Sequence, residues 1–95
     1  MIQNLVVTRG ESFKEVFNLK KPDGSPSSGR GYRFAFVVYR RDFVREFTMS
    51  NRGGSLEANL SATQTADFDS NVLQYKIVVD NETREVIAQG ILRVQ

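Results

Sequence analysis

The sequence predicts an all-β fold, an antiparallel β-sandwich of about seven strands with one short helical turn near residues 61–68. Three observations lead there. Apolar side chains recur two apart in most segments, as they do on a strand with one buried face. The segments are separated by Gly, Pro, Asn and Asp clusters at intervals of about 8 to 15 residues. The stretch beginning at Ser61 carries the start signal of a helix.

The closing stretch from Leu60 to Val94 is the most legible part of the chain. Ser61 is followed three residues later by Gln64, the spacing of a capping box, although Thr63 or Thr65 would cap a turn equally well. Asp67, Asp69, Ser70 and Asn71 bond to their own backbone and compete with a helical ladder, so the turn is expected to end by Asn71. Leu73, Tyr75, Ile77 and Val79 then alternate with Gln74, Lys76 and Asp80 as a strand. The polar segment Asp80-Asn81-Glu82-Thr83-Arg84 has hairpin length and returns the chain as Glu85 to Val94, with Gly90 marking a bulge or a close backbone approach.

Upstream, Leu5-Val6-Val7 reads as a first edge strand. Phe13, Phe17 and Leu19 follow on one face of a second, and Glu15 interrupts that apolar register as an edge or bulged strand would. Lys20 to Gly31 is a loop with a β-turn at Pro22-Asp23-Gly24, and it is expected to serve chiefly as a connection. Tyr32 to Arg40 is apolar on both faces: Phe34, Phe36 and Val38 form one row, and Ala35, Val37 and Tyr39 the other. Such a strand is central in a sheet covered, or partly covered, on both sides, which makes the face with Val37 and Tyr39 a candidate contact with another subunit. Phe43 to Met49 forms a further strand, Asn51-Arg52-Gly53-Gly54 a turn, and Leu56, Ala58 and Leu60 the next alternating segment. This succession of strands has an immunoglobulin-like pattern.

Ninety-five residues make one domain, spanning 1–95, with room for one two-layer core. Seven Phe and three Tyr supply its bulk in the absence of Trp. The absence of Cys removes any disulfide framework. No basic head with a long apolar run follows Met1, so a cytosolically made, soluble chain without signal peptide or membrane span is expected. The net charge of +2 gives little steering toward acidic partners.

No catalyst is visible. Without His or Cys the chain lacks the usual general base, the thiolate nucleophile and most transition-metal ligands, and no enzyme activity or cofactor is expected. Asp67, Asp69, Asp80 and Glu82 would meet around a calcium ion only if the helical turn and the last hairpin loop came together. Lacking an EF-hand pattern, they read as solvated turn residues. Arg30, Arg33, Arg40, Arg41, Arg45 and Arg52 lie near Tyr32 and Tyr39, but Asp42 and Glu46 interrupt the basic field and nucleic acid is not an expected partner.

Several segments, taken in order, carry a resemblance: Arg9-Gly10-Glu11-Ser12-Phe13, Lys21-Pro22-Asp23-Gly24, Gly31-Tyr32-Arg33-Phe34-Ala35-Phe36, Leu60-Ser61-Ala62-Thr63-Gln64-Thr65, Tyr75, and Ala88-Gln89-Gly90 with Leu92-Arg93-Val94. Together they resemble a family of small immunoglobulin-like β-sandwich domains in virion proteins of tailed bacteriophages, of tail-fibre, collar or neck accessory type. The resemblance implies a non-enzymatic structural or adaptor part, made in the host cytoplasm, located in the virion, and present in many symmetric copies that touch other virion proteins. Capsid decoration, or a carbohydrate- or receptor-binding module using Tyr32 or Arg52, are the alternatives. Val37, Tyr39, Arg40, Arg41 and Arg52 are the candidate interface residues.

Overall fold

A computed structural model of the chain describes residues 3–21, 23–80 and 84–95. The strands are β1 (Leu5–Val7), β2 (Phe13–Asn18), β3 (Arg33–Arg40), β4 (Phe43–Thr48), β5 (Ser50–Arg52), β6 (Ser55–Leu60), β7 (Val72–Asp80) and β8 (Arg84–Val94), with helix α1 (Ala62–Ala66) between β6 and β7. They form a five-stranded sheet in the order β1-β8-β7-β3-β4 and a three-stranded sheet in the order β2-β6-β5. The fold is an all-β sandwich, as the alternation predicts. The turn expected at Pro22-Asp23-Gly24 is closed by the Gly24 N–H, which donates to the Lys21 carbonyl at 2.8 Å; Pro22 itself and the hairpin loop at 81–83 lie outside the described residues.

Two departures from the expected strand list have local causes. The segment expected as one strand from Phe43 to Met49 ends at Thr48, where the chain changes sheets. Met49 is buried at the crossing and donates its N–H to the Phe34 carbonyl at 3.0 Å. Asn51 and Arg52 then belong to β5 rather than to a turn, and the reversal falls on Gly53 and Gly54, both with positive φ. β1 is an edge strand as expected, but it pairs parallel with β8, Leu5 opposite Leu92 and Val7 opposite Val94. The remaining strand pairs are antiparallel.

The core lies where the two sheets face each other. Phe36 and Tyr75, neighbours on β3 and β7, stack with centroids 5.3 Å apart. From the opposite sheet Phe13 and Phe17 approach Phe36 at 6.4 and 6.5 Å. Contacts of this kind contribute about 0.5–1.5 kcal/mol each beyond area burial. This aromatic cluster joins the layers without a disulfide. Glu15 shares the inward register of β2, as the interrupted alternation indicates, and stays half-buried because β2 is an edge strand.

Helix α1 closes one end of the sandwich. Ser61 is its N-cap and completes the capping box, accepting from the Gln64 N–H at 3.1 Å while the Gln64 side chain accepts from the Ser61 N–H at 2.8 Å. Beyond the helix, Phe68 inserts edge-on against Phe43 and Phe47. Thr65 is fully buried, and its hydroxyl donates to the Glu11 carbonyl at 2.7 Å and accepts from the Gly10 N–H at 3.0 Å. Arg9 completes this joint by donating to the carbonyls of Phe68 and Ser70. The Arg9-Gly10-Glu11 and Ser61 to Thr65 segments are therefore two halves of one structural contact. Replacing Thr65 with Val keeps the volume but leaves the Glu11 carbonyl and Gly10 N–H unpartnered, and is expected to cost about 1–3 kcal/mol. Thr65→Ser, which keeps the hydroxyl, is expected to lose less in the same urea-unfolding comparison.

Candidate interaction surfaces

The register of the five-stranded sheet decides which side chains face away from the core. Val37 lies opposite Glu46 on β4 and Lys76 on β7, Tyr39 opposite Val44 and Gln74, and Ala35 opposite Thr48 and Val78. Farther along, Val78 lies opposite Val86, Gln74 opposite Ile91, and Val6 opposite Arg93. One outward face thus collects Val6, Val44, Val72, Val86 and Ile91, each between 41% and 52% exposed. Around Ala35, Val37 and Val78 it holds a small buried cluster of its own, against which Tyr39 packs.

What covers that cluster is polar and belongs to the chain itself. Arg84 on β8 reaches Glu46 on β4, Nη2 to Oε1 at 2.9 Å, although β7 and β3 lie between them. Together with Lys76, the pair borders a shallow depression of about 270 Å³ floored by Val37 and Val78. Long side chains commonly lay their aliphatic stems over apolar surface in this way. The Lys76 ammonium also lies 5.1 Å from the centroid of the Tyr39 ring. Val37 is consequently 4% exposed within the single chain and Tyr39 is half-buried. The exposed apolar surface of this face belongs instead to Val6, Val44, Val72, Val86 and Ile91.

The candidate arginines do not gather on this face. Arg40 ends β3 in the inward register and donates to the Ser70 hydroxyl, so it fastens the segment after α1. Arg41 occupies the β3–β4 turn with φ 51°. Arg52 is on β5, in the other sheet. Arg45 pairs with Asp67 at 2.6 Å and lies over the Phe43 ring at 4.4 Å. Of the acidic residues considered for calcium, Asp67 is thus engaged by an arginine and Asp69 is exposed. The side chain of Asp80 and residue Glu82 lie outside the described residues. Among the described residues no group of three or more acidic side chains comes together, and no helix is long and apolar enough to cross a membrane.

Sequence reading missed Val86 as a surface determinant for an identifiable reason. A bulge between Ile77 and Val78 shifts the β7–β8 register, so that Ile77 lies opposite Ala88 but Val78 opposite Val86. The interruption around Ile87 in the alternation of β8 was the available signal.

No family model matches the sequence, and no curated protein matches it. Among solved structures, the chain is similar to the N-terminal domain of phage TP901-1 ORF48, with a TM-score of 0.67 at 12% sequence identity, over 98% of this chain and 85% of that one. A phage protein shares this fold. At that identity the likeness concerns architecture, and the side chains on the outward face have to be read on their own terms.

Proposed function

We propose that this chain is a non-enzymatic structural or adaptor component of a tailed-bacteriophage virion, mediating protein–protein attachment in the tail, neck or collar, or fibre assembly. The observation that carries the reading is the outward face of the five-stranded sheet. Five exposed aliphatic side chains on one sheet face exceed the scatter of single exposed residues normal on a soluble domain. Such a face suits repeated docking to other virion proteins in a symmetric assembly. The shared architecture with a phage protein domain and the order of the Arg9-Gly10-Glu11 and Ser61 to Thr65 segments support the same source.

The test is incorporation. In purified particles of the phage that encodes it, the chain is expected as a stoichiometric component. Val44→Lys, Val86→Lys and Ile91→Lys together are expected to lower incorporation about tenfold, a loss equivalent to about 1.4 kcal/mol of binding. Each site is exposed, so each change should alter folding stability by no more than about 0.5 kcal/mol. Particles lacking the chain, or a folded triple variant incorporated normally, would overturn the proposal.

A further inference from the structure

A second surface lies on the side where the sandwich is open, away from the outward face. A groove of about 750 Å³ enters the interior there, walled by Phe17 and Leu19 from β2 and its continuation, and by Ile77, Val79, Ile87 and Ala88 from β7 and β8. That volume is in the range of sites that take a compact ligand or a few side chains. Lys20 and Lys21 stand at one rim and Glu85 at the other.

Backbone hydrogen bonds hold the described residues on either side of the two lysines. Leu19 N–H donates to the Gly54 carbonyl at 2.8 Å and Ser27 N–H to the Leu19 carbonyl at 3.1 Å. Lys21 N–H donates to the Ser25 carbonyl at 2.7 Å. Asp23 accepts from both the N–H and the hydroxyl of Ser25, and these bonds, the hydroxyl's foremost, hold its carboxyl below the usual carboxylate range. The loop expected as a mere connection is folded back as one side of the groove.

The opposite side is a strand edge. β1 pairs with β8 only over Leu92–Val94, and the row extends one step further where Gln3 N–H donates to the Gln89 carbonyl at 3.3 Å. From Arg84 to Ala88, β8 has β7 on one side and, among the described residues, no strand on the other. Backbone groups along such an edge find matched partners in another extended backbone, and the adjoining groove accepts the side chains that alternate toward it.

We propose that this groove and edge form a strand-addition site for an extended peptide segment of a partner protein. The segment continues the row begun by β1 and pairs with Arg84 to Ala88. Its apolar side chains at alternate positions enter between Phe17 and Ile87, and a carboxylate at one end faces Lys20 and Lys21. Charge complementarity selects the acidic end, because neither lysine has an acidic partner within 4.0 Å among the described residues. The site is independent of the outward face and stands whether or not that face docks in a virion.

Capped peptides of about six residues, the length of an ordinary strand, provide the probe. Threonine alternates in them with valine, leucine or phenylalanine, and one end carries two aspartates. Titration into the 95-residue chain followed by NMR should show binding, slower amide exchange for residues between Arg84 and Ala88, and shifts in Ile87 and Val79 methyls. N-methylation of the peptide nitrogens that face β8 should weaken binding at least about tenfold, and Lys20→Glu with Lys21→Glu about fivefold at low salt. No binding by any member of the panel at millimolar concentration overturns the proposal. Binding indifferent to N-methylation also overturns it, since the groove would then be an apolar pocket without strand pairing.

Discussion

Truncating Tyr75 to alanine is expected to lower the unfolding free energy by about 3–5 kcal/mol, the range for removing a large buried aromatic. Tyr75 is fully buried, stacks on Phe36 and approaches Phe17 of the opposite sheet at 6.3 Å, so it joins the two layers. Its hydroxyl also donates to the Gln3 carbonyl, beside the line where β1 meets β8. Tyr75→Phe keeps the ring and removes that bond, for an expected cost of about 1–2 kcal/mol. A small domain has about 5–15 kcal/mol in total, so the alanine variant should unfold at a much lower urea midpoint.

The phenol adds a pH dependence with a definite sign. Burial, with a smaller contribution from the Glu15 carboxylate, raises the Tyr75 pKa above its ordinary value of 10.0. The folded state therefore keeps the proton after the unfolded chain has lost it. Its contribution is fully present below about pH 10 and declines as pH rises from there through the folded-state pKa. Urea midpoints followed upward from pH 9 should fall for the wild type and fall less for Tyr75→Phe. Equal slopes would contradict the assignment.

Replacing Gly54 with alanine is expected to cost about 3 kcal/mol or more, overpacking adding to backbone strain. Gly54 has φ +99°, and a Cβ there would overlap the backbone carbonyl of Ser27. Its own carbonyl accepts from Leu19 and its N–H donates to Asn51 Oδ1, so any shift disturbs the loop wall as well. The neighbouring Gly53 separates the two causes, because it too has positive φ (+62°) but opens onto space. Gly53→Ala should cost only about 1–2 kcal/mol, the left-handed penalty alone. Equal losses at the two positions in denaturant unfolding would show that the approach to Ser27 does not matter.

Gly90 illustrates how far a sequence reading reaches. The glycine in β8 signals a bulge or a close backbone approach, and the structure shows the approach: a Cβ would overlap the Gln3 carbonyl that Tyr75 also contacts. The bulge is present as well, but at Ile87, where only the broken alternation of β8 signals it. The capping box at Ser61 was equally legible, because a cap is an exchange of hydrogen bonds within four residues. Glu15 on an edge strand could be read from its conflict with the alternation around it.

The surfaces were less legible for a physical reason. Alternation assigns a side chain to one of two faces, but it does not say which strands lie beside one another, and a one-residue slip moves a strand's whole pattern to the other face. The placement of Val44, Val86 and Ile91 on one patch follows from the order β8-β7-β3-β4 and from the β7–β8 register shift. Arg40 and Arg52, close in the chain, separate because Met49 carries the polypeptide from one sheet to the other.

Local periodicity, capping and turn chemistry by themselves determined the all-β class, the short helix and most inward-facing residues, because these depend on neighbours within a few positions. Tertiary structure alone decided the parallel β1–β8 pairing, the covering of Val37 by Arg84 and Glu46, and the open groove beside β8. Each of these requires residues distant in sequence to meet, and pattern within a segment does not encode which of them will.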